Sequence, residues 1–164
     1  MPILVVCTGN ICRSPMAACL LRHMLPEALK EKVRINSAGT HALHGHQAAP
    51  AAVRVMAEAG IDISGHRARQ LTGEMIRASG LILTMERIHL VAVRRMQLWG
   101  KFRARLLGEY GAQPDSPEIE DPYGSPIEVY RSCLAVIRPC IEGLIDQLAS
   151  ELLCPQGSGR GNPL

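Results

Sequence analysis

Aromatic side chains are nearly missing from this sequence. One Phe, one Trp and three Tyr in 164 residues leave Leu, Ile, Val, Ala and Met to build the core. No apolar run approaches the roughly 20 residues a helix needs to cross a bilayer. The opening residues, Met1-Pro2-Ile3-Leu4-Val5-Val6, have neither the basic start nor the small-residue cleavage site of a signal peptide. Six cysteines are too few for a disulfide scaffold, and their spacing gives no paired metal-ligand pattern. The expected setting is therefore the reducing cytoplasm, with most thiols acting as small buried apolar groups and with no metal or cofactor. A net charge of +3 is mild. It favours an anionic substrate slightly, and the scattered basic residues exclude a nucleic-acid footprint. A monomer that does not insert into membranes is expected.

Apolar residues make up 47% and charged residues 20%, which suits one soluble globular domain, here 1–152. Ile3-Leu4-Val5-Val6 and Leu81-Ile82-Leu83-Thr84-Met85 are short continuous apolar runs, as expected of strands buried on both faces. Val33 to Ser37 and a weaker Ala104 to Leu107 complete four strands. Between them, helices are predicted from a Ser14 cap with Pro15 at the first position through Leu29, over Gln47–Ala59 ended by Gly60, and over Glu86–Met96. Ser125-Pro126-Ile127-Glu128 fits a capping box with Pro at the first helical position. Ile127, Tyr130, Leu134, Ile137, Ile141, Ile145 and Leu148 then form one apolar stripe, with a kink predicted at Pro139. Residues 153–164 read as a disordered Gly-, Ser- and Pro-rich tail. Strands alternating with helices predict an α/β fold: a four-stranded parallel sheet with helices on both faces. In such sheets ligands bind beyond the carboxyl ends of the strands, and the first such edge is Cys7 to Ser14.

That segment reads Cys7-Thr8-Gly9-Asn10-Ile11-Cys12-Arg13-Ser14, a Cys-x5-Arg-Ser pattern. The spacing alone is weak: six cysteines and fifteen arginines predict about half an accidental match. Cys154 and Arg160 repeat it in the tail, with no strand before, no helix after and no following Ser or Thr. The first pair has all three. A loop wrapped between a strand and a helix N-terminus turns its backbone N–H groups inward, a nest for a tetrahedral dianion. The same field favours a Cys7 thiolate, the nucleophilic form. Arg13 offers a planar fork to two phosphate oxygens. Ser14 can donate to the sulfur, Gly9 eases the turn and Asn10 pins the loop through its amide. Thr8, Ile11 and Cys12 complete it. Cys12 has two readings: a resolving thiol within reach of an oxidised Cys7, or packing beneath the loop.

Val6 through Pro15 resembles the signature of the low-molecular-weight protein tyrosine phosphatases. The resemblance continues through Ser37-Ala38-Gly39-Thr40, His66-Arg67-Ala68-Arg69, Thr84-Met85-Glu86 and Asp121-Pro122-Tyr123. It implies a four-stranded parallel sheet, a phosphocysteine mechanism and a phosphotyrosine protein as substrate. Among the acids Asp115, Glu118, Glu120 and Asp121, composition alone gives only a solvated loop. The resemblance makes Asp121 the general acid and sets Tyr123 against the substrate ring, although a loop aromatic packed on its own domain explains Tyr123 equally well. It makes His66, with Ser37, a support of the loop through Asn10. On the other wall the family's usual aromatic is missing, with Leu43 and His44 as candidates among His41, His44 and His46.

Two rivals share the loop. Arsenate reduction needs a relay of further thiols, and no cysteine lies between Cys19 and Cys133. Protein-arginine phosphatases resemble this chain but place a threonine where Ile11 stands, and an isoleucine suits a phenyl ring better than a guanidinium. A phosphate-binding module without turnover would lack the cysteine, arginine or acid. Leu106-Leu107-Gly108-Glu109 and Glu118 to Tyr123 look most like bacterial members, which implies a tyrosine autokinase of exopolysaccharide or capsule export as a partner.

Overall fold

A computed structural model of the chain describes residues 1–97, 102–112 and 115–153. Four parallel strands form one sheet in the order β2-β1-β3-β4: β1 Pro2–Cys7, β2 Arg34–Gly39, β3 Leu81–Thr84 and β4 Arg103–Leu106. The two apolar runs are its centre, because a strand with helices on both faces has no side that needs to be polar. Ile3, Val5, Leu81 and Leu83 face a large core built with α1 (Arg13–Met24), α3 (Pro50–Glu58) and α6 (Ile127–Leu153). Leu4, Val6 and Ile82 point the other way, onto Ile76 of α4 (Gly73–Arg77) and Val93 of α5 (Arg87–Met96). α2 is a single turn, Glu27–Lys30. Among the described residues no helix is long and apolar enough to cross a membrane.

Several boundaries differ from the sequence expectation, each for a local reason. Helix α1 begins at Arg13, so Ser14 lies inside the first turn and is not its cap. It stops at Met24 and does not run to Leu29, because Leu25 precedes Pro26 and is extended (ψ 124°), as a pre-proline residue prefers. Likewise α3 starts at Pro50, not Gln47; Ala49 is extended at ψ 138° and donates its N–H to Ile11 O. Helix α6 begins at Ile127, so Pro126 stands just before its first residue. It continues through Pro139 and ends at Leu153, which takes that residue out of the expected tail. The rest of the tail lies outside the described residues. Leu107, expected in β4, instead starts a 3-10 turn. The short α4 escaped sequence analysis; Thr72 Oγ1 caps it, accepting from Met75 N–H at 3.2 Å.

β1 has β2 on one side and β3 on the other, so the chain leaves its carboxyl end at the point where strand order reverses. That is where a doubly wound sheet opens a crevice.

Candidate active site

The loop from Cys7 to Arg13 fills this crevice, and its backbone faces one way. Every carbonyl from Cys7 to Cys12 accepts a hydrogen bond from outside the loop. The donors are the N–H groups of Thr40, His41 and Leu43 for Cys7, Thr8 and Gly9, His66 Nε2 for Asn10, and the N–H groups of Ala49 and Met16 for Ile11 and Cys12. Among the described residues, no backbone bond outside the helices and strands uses an N–H of residues 8–14 as donor. With the carbonyls engaged from outside, the amides are left available to an anion, as in a nest.

Two residues make this curl possible. Asn10, buried, takes φ +54°, a left-handed conformation that Asn tolerates better than most residues. Its amide holds the turn: Nδ2 donates to Ser14 Oγ at 2.8 Å and Ser37 Oγ at 3.0 Å, and Oδ1 accepts Arg69 N–H at 2.8 Å. Gly9, expected to relax the turn, has no positive φ; the strain falls on its neighbour. Gly39 matters from behind, since a Cβ there would lie 2.4 Å from Thr8 O. His66 supports the loop by donating Nε2–H to Asn10 O at 2.6 Å. Burial holds this imidazole below its usual range, against the pull of that carbonyl.

Cys7 is buried with its sulfur 3.0 Å from Ser14 Oγ. Arg13 is buried too, its guanidinium held by Glu86 Oε2 (2.6 Å) and Ile119 O (2.8 Å) on Nη1 and by Asp121 Oδ2 (2.7 Å) on Nη2. Burial opposes its charge, but the Glu86 bond and the charges of Asp121 and Cys7 outweigh that and raise its pKa. Nε is buried with no partner among the described residues. Asp121 is therefore tied to the loop across 108 residues of sequence, and its Oδ1 also accepts Tyr123 N–H at 3.3 Å. Cys12 turns its sulfur to Tyr130 OH at 3.4 Å, and burial pushes its thiol up to about 11.

A cavity of about 210 Å³ opens over Cys7. Thr8, Gly9 and Ile11 floor it, with His41 and Leu43 on one wall and Asp121 and Tyr123 on the other. Leu43 reaches the wall because its N–H pairs with Gly9 O. His44, expected beside it, does not line the cavity and is exposed. The chain turns away there, with Gly45 at φ +80° and His46 N–H on Leu43 O; His41 takes the place expected of His44. Sequence analysis gave no part in the site to Glu86, His89 or Tyr130. A Glu-x-x-His spacing directly after a buried strand was the available signal for the first two, since Glu86 and His89 close a reciprocal cap at the start of α5.

The chain as a whole is similar to known proteins in sequence and fold. The family model for low molecular weight phosphotyrosine protein phosphatase matches residues 2–153. The probable low molecular weight protein-tyrosine-phosphatase EpsP of Ralstonia solanacearum is 42% identical over 149 residues, covering 89% of this chain and 94% of the relative. The crystal structure of the tyrosine phosphatase Wzb from Escherichia coli K30 in complex with sulphate superposes with a TM-score of 0.79 at 36% identity, over 90% of this chain and 97% of that one. The YwlE arginine phosphatase from Geobacillus stearothermophilus gives 0.83 at 36% identity, over 96% and 99%. Sequence, fold and coverage agree, and the chain belongs to the low molecular weight protein-tyrosine-phosphatase family.

Proposed function

We propose that this chain hydrolyses phosphotyrosine in proteins through a phosphocysteine intermediate. The observation that carries the reading is the loop around Cys7, whose carbonyls are all bonded outward while its amides and the unpaired Arg13 Nε are left for an anion. The Cys7 thiolate attacks phosphorus, forming the S–P bond as the P–O bond to the phenol breaks. Asp121, on the cavity wall with Cys7, gives its proton to the leaving phenol oxygen. This step requires Arg13 to turn from Asp121 Oδ2 to the phosphate, leaving that oxygen free for the leaving group. The nest and the Arg13 fork hold the charge that develops on the phosphoryl oxygens. Asp121 then takes a proton from water as the water attacks phosphorus. The S–P bond breaks, and Ser14 Oγ, 3.0 Å away, receives the returning thiolate.

The apolar parts of the cavity favour a flat aromatic substrate. Ile11 on the floor, with Leu43 and Tyr123 on the walls, offers surface to a phenyl ring, and Ile11 itself has no polar atom to meet a guanidinium. Resemblance to bacterial members, through Leu106 to Glu109 and Glu118 to Tyr123, extends the proposal to a cytoplasmic enzyme acting on a tyrosine autokinase of polysaccharide export.

The test is phosphate release from phosphotyrosine, phosphoserine and phosphoarginine peptides, with Cys7→Ser beside the wild type. The expected result is Cys7-dependent release from phosphotyrosine alone. Faster release from phosphoarginine would assign the chain to the chemistry named for the Geobacillus neighbour. Ile11→Thr should raise the phosphoarginine-to-phosphotyrosine ratio; an unchanged ratio would move specificity to the walls.

A further inference from the structure

One buried histidine touches the loop and has no part in the steps above. His89 lies in the first turn of α5 and is 1% exposed. Its Nδ1 accepts the backbone N–H of Glu86 at 3.1 Å. A backbone N–H can only donate, so Nδ1 bears no proton and the neutral ring carries its hydrogen on Nε2. That nitrogen lies 2.8 Å from Thr8 Oγ1, so the ring donates to the residue that follows Cys7. Glu86 closes the circuit: its Oε2 accepts Arg13 Nη1 at 2.6 Å and stands 3.7 Å from His89 Nε2, too far for a hydrogen bond.

We propose that His89 is a positioning residue for phosphoryl transfer: as its Nε2–H tautomer it ties the loop at Thr8 to the Glu86 that orients Arg13, keeping nucleophile and guanidinium in register. This rests on the phosphatase reading above. A cap for α5 needs only the Glu86 bond, which a shorter acceptor would supply; the bond to Thr8 crosses from β3's end to β1's and has no part in capping. Burial, and then the charge of Arg13, hold the ring below the usual imidazole range, with Glu86, Asp121 and Glu118 acting in the opposite sense. The ring is thus kept in the neutral form that the two bonds require. A proton on Nδ1 would face the Glu86 N–H, and the resulting cation would compete with Arg13 for Glu86 Oε2.

The test is a double-mutant cycle of His89→Asn and Thr8→Val. Asn keeps an acceptor for the Glu86 N–H but falls short of Thr8. Turnover of a phenyl phosphate, inhibition by inorganic phosphate and urea melts are measured together. Each single variant should lower kcat/KM by about tenfold, on the scale of one hydrogen bond, and weaken phosphate inhibition. The double variant should lose no more than the worse single one. Losses that multiply, or a melt that drops while turnover and phosphate inhibition stay at wild-type values, would make His89 a cap only. Nitrogen NMR needs no turnover: a proton on Nδ1 in the wild type overturns the proposal without any variant, and one on Nε2 whose signal moves in Thr8→Val supports it. Inorganic phosphate binding to Cys7→Ser, with and without His89→Asn, separates the two claims. Turnover surviving Cys7→Ser sinks the phosphocysteine mechanism, whereas phosphate binding unchanged by His89→Asn sinks only this one.

Discussion

From Cys7 to Ser14 the loop is buried or half-buried and each carbonyl through Cys12 is held from outside; a few ångströms above it, Leu43 is 41% and Tyr123 63% exposed. The floor is fixed from behind by Gly39, Asn10, Ser37 and His66. The rim is held more sparsely, by contacts such as Tyr123 N–H on Asp121 and the two backbone bonds of Leu43, to Gly9 and from His46. Chemistry needs atoms held to fractions of an ångström, so it is placed where packing and hydrogen bonds overdetermine position. Recognition of a protein surface needs accessible side chains, and these cost little stability to change. The same chain therefore carries a floor that resists substitution and a rim that tolerates it.

The largest expected effect joins the two regions. Asp121 sits on the rim wall but is bonded to Arg13 in the floor. Asp121→Asn should slow phenyl phosphates with poor leaving groups by roughly a hundred- to ten-thousand-fold. Those with good leaving groups, which need little protonation, should be slowed far less. Equal losses across a leaving-group series would assign the acid elsewhere, with Asp115 next.

Gly39→Ala attacks the floor from behind without touching the cavity. Its Cβ would meet Thr8 O at 2.4 Å and Asn10 N at 2.9 Å, both backbone atoms that cannot swing aside. Overpacking of this kind costs about 1–3 kcal/mol, read by urea melts, and kcat/KM should fall with it because the displaced atoms belong to the nest. A stable and fully active Gly39→Ala would show the loop to be softer than its bonds suggest.

How much of this was legible in the sequence follows the same division. The two apolar runs and the Cys-x5-Arg-Ser loop between strand and helix could be read directly, since buried parallel strands and helix-terminal nests depend on neighbours in sequence. Pro26 and Pro50 were visible too, but their effect on Leu25 and Ala49 moved helix boundaries away from where apolar spacing alone put them. Glu86 and His89 acquire meaning only once β3 lies beside β1, because their partners Arg13 and Thr8 are 73 and 81 residues away. The rim was least legible. Whether His41 or His44 faces the cavity depends on one turn at Gly45 that apolar spacing does not encode.

Tyr123→Ala should therefore sharpen the contrast. Removing an exposed ring should leave the unfolding free energy, read by urea melts, within about 0.5 kcal/mol of wild type and leave inhibition by inorganic phosphate unchanged. KM for a phenyl phosphate should rise several-fold, on the scale of a lost ring contact. A large loss of stability would mean that Tyr123 packs on its own domain.

The smallest effect is an acid-side loss of stability that belongs to the floor alone. His66 and His89 both titrate below the ordinary 6.5, burial being the main cause at each. As pH falls through 6.5 the unfolded chain takes up these protons first, so it binds more protons than the folded one and stability drops. Above that value the two residues contribute no slope. Urea midpoints at pH 7.5 and 5.5 check this, with a shallower fall expected in His66→Gln; equal midpoints in the wild type would contradict it.

The central claim is that Cys7 carries the phosphoryl group between the two half-reactions. Acid quench of Asp121→Asn during turnover of a phenyl phosphate with a good leaving group, followed by mass spectrometry of the peptide containing Cys7, tests it most directly. The account predicts phosphate on Cys7 sulfur and none in the Cys7→Ser, Asp121→Asn variant. Turnover with no phosphate on Cys7, or with phosphate on another residue, would contradict it.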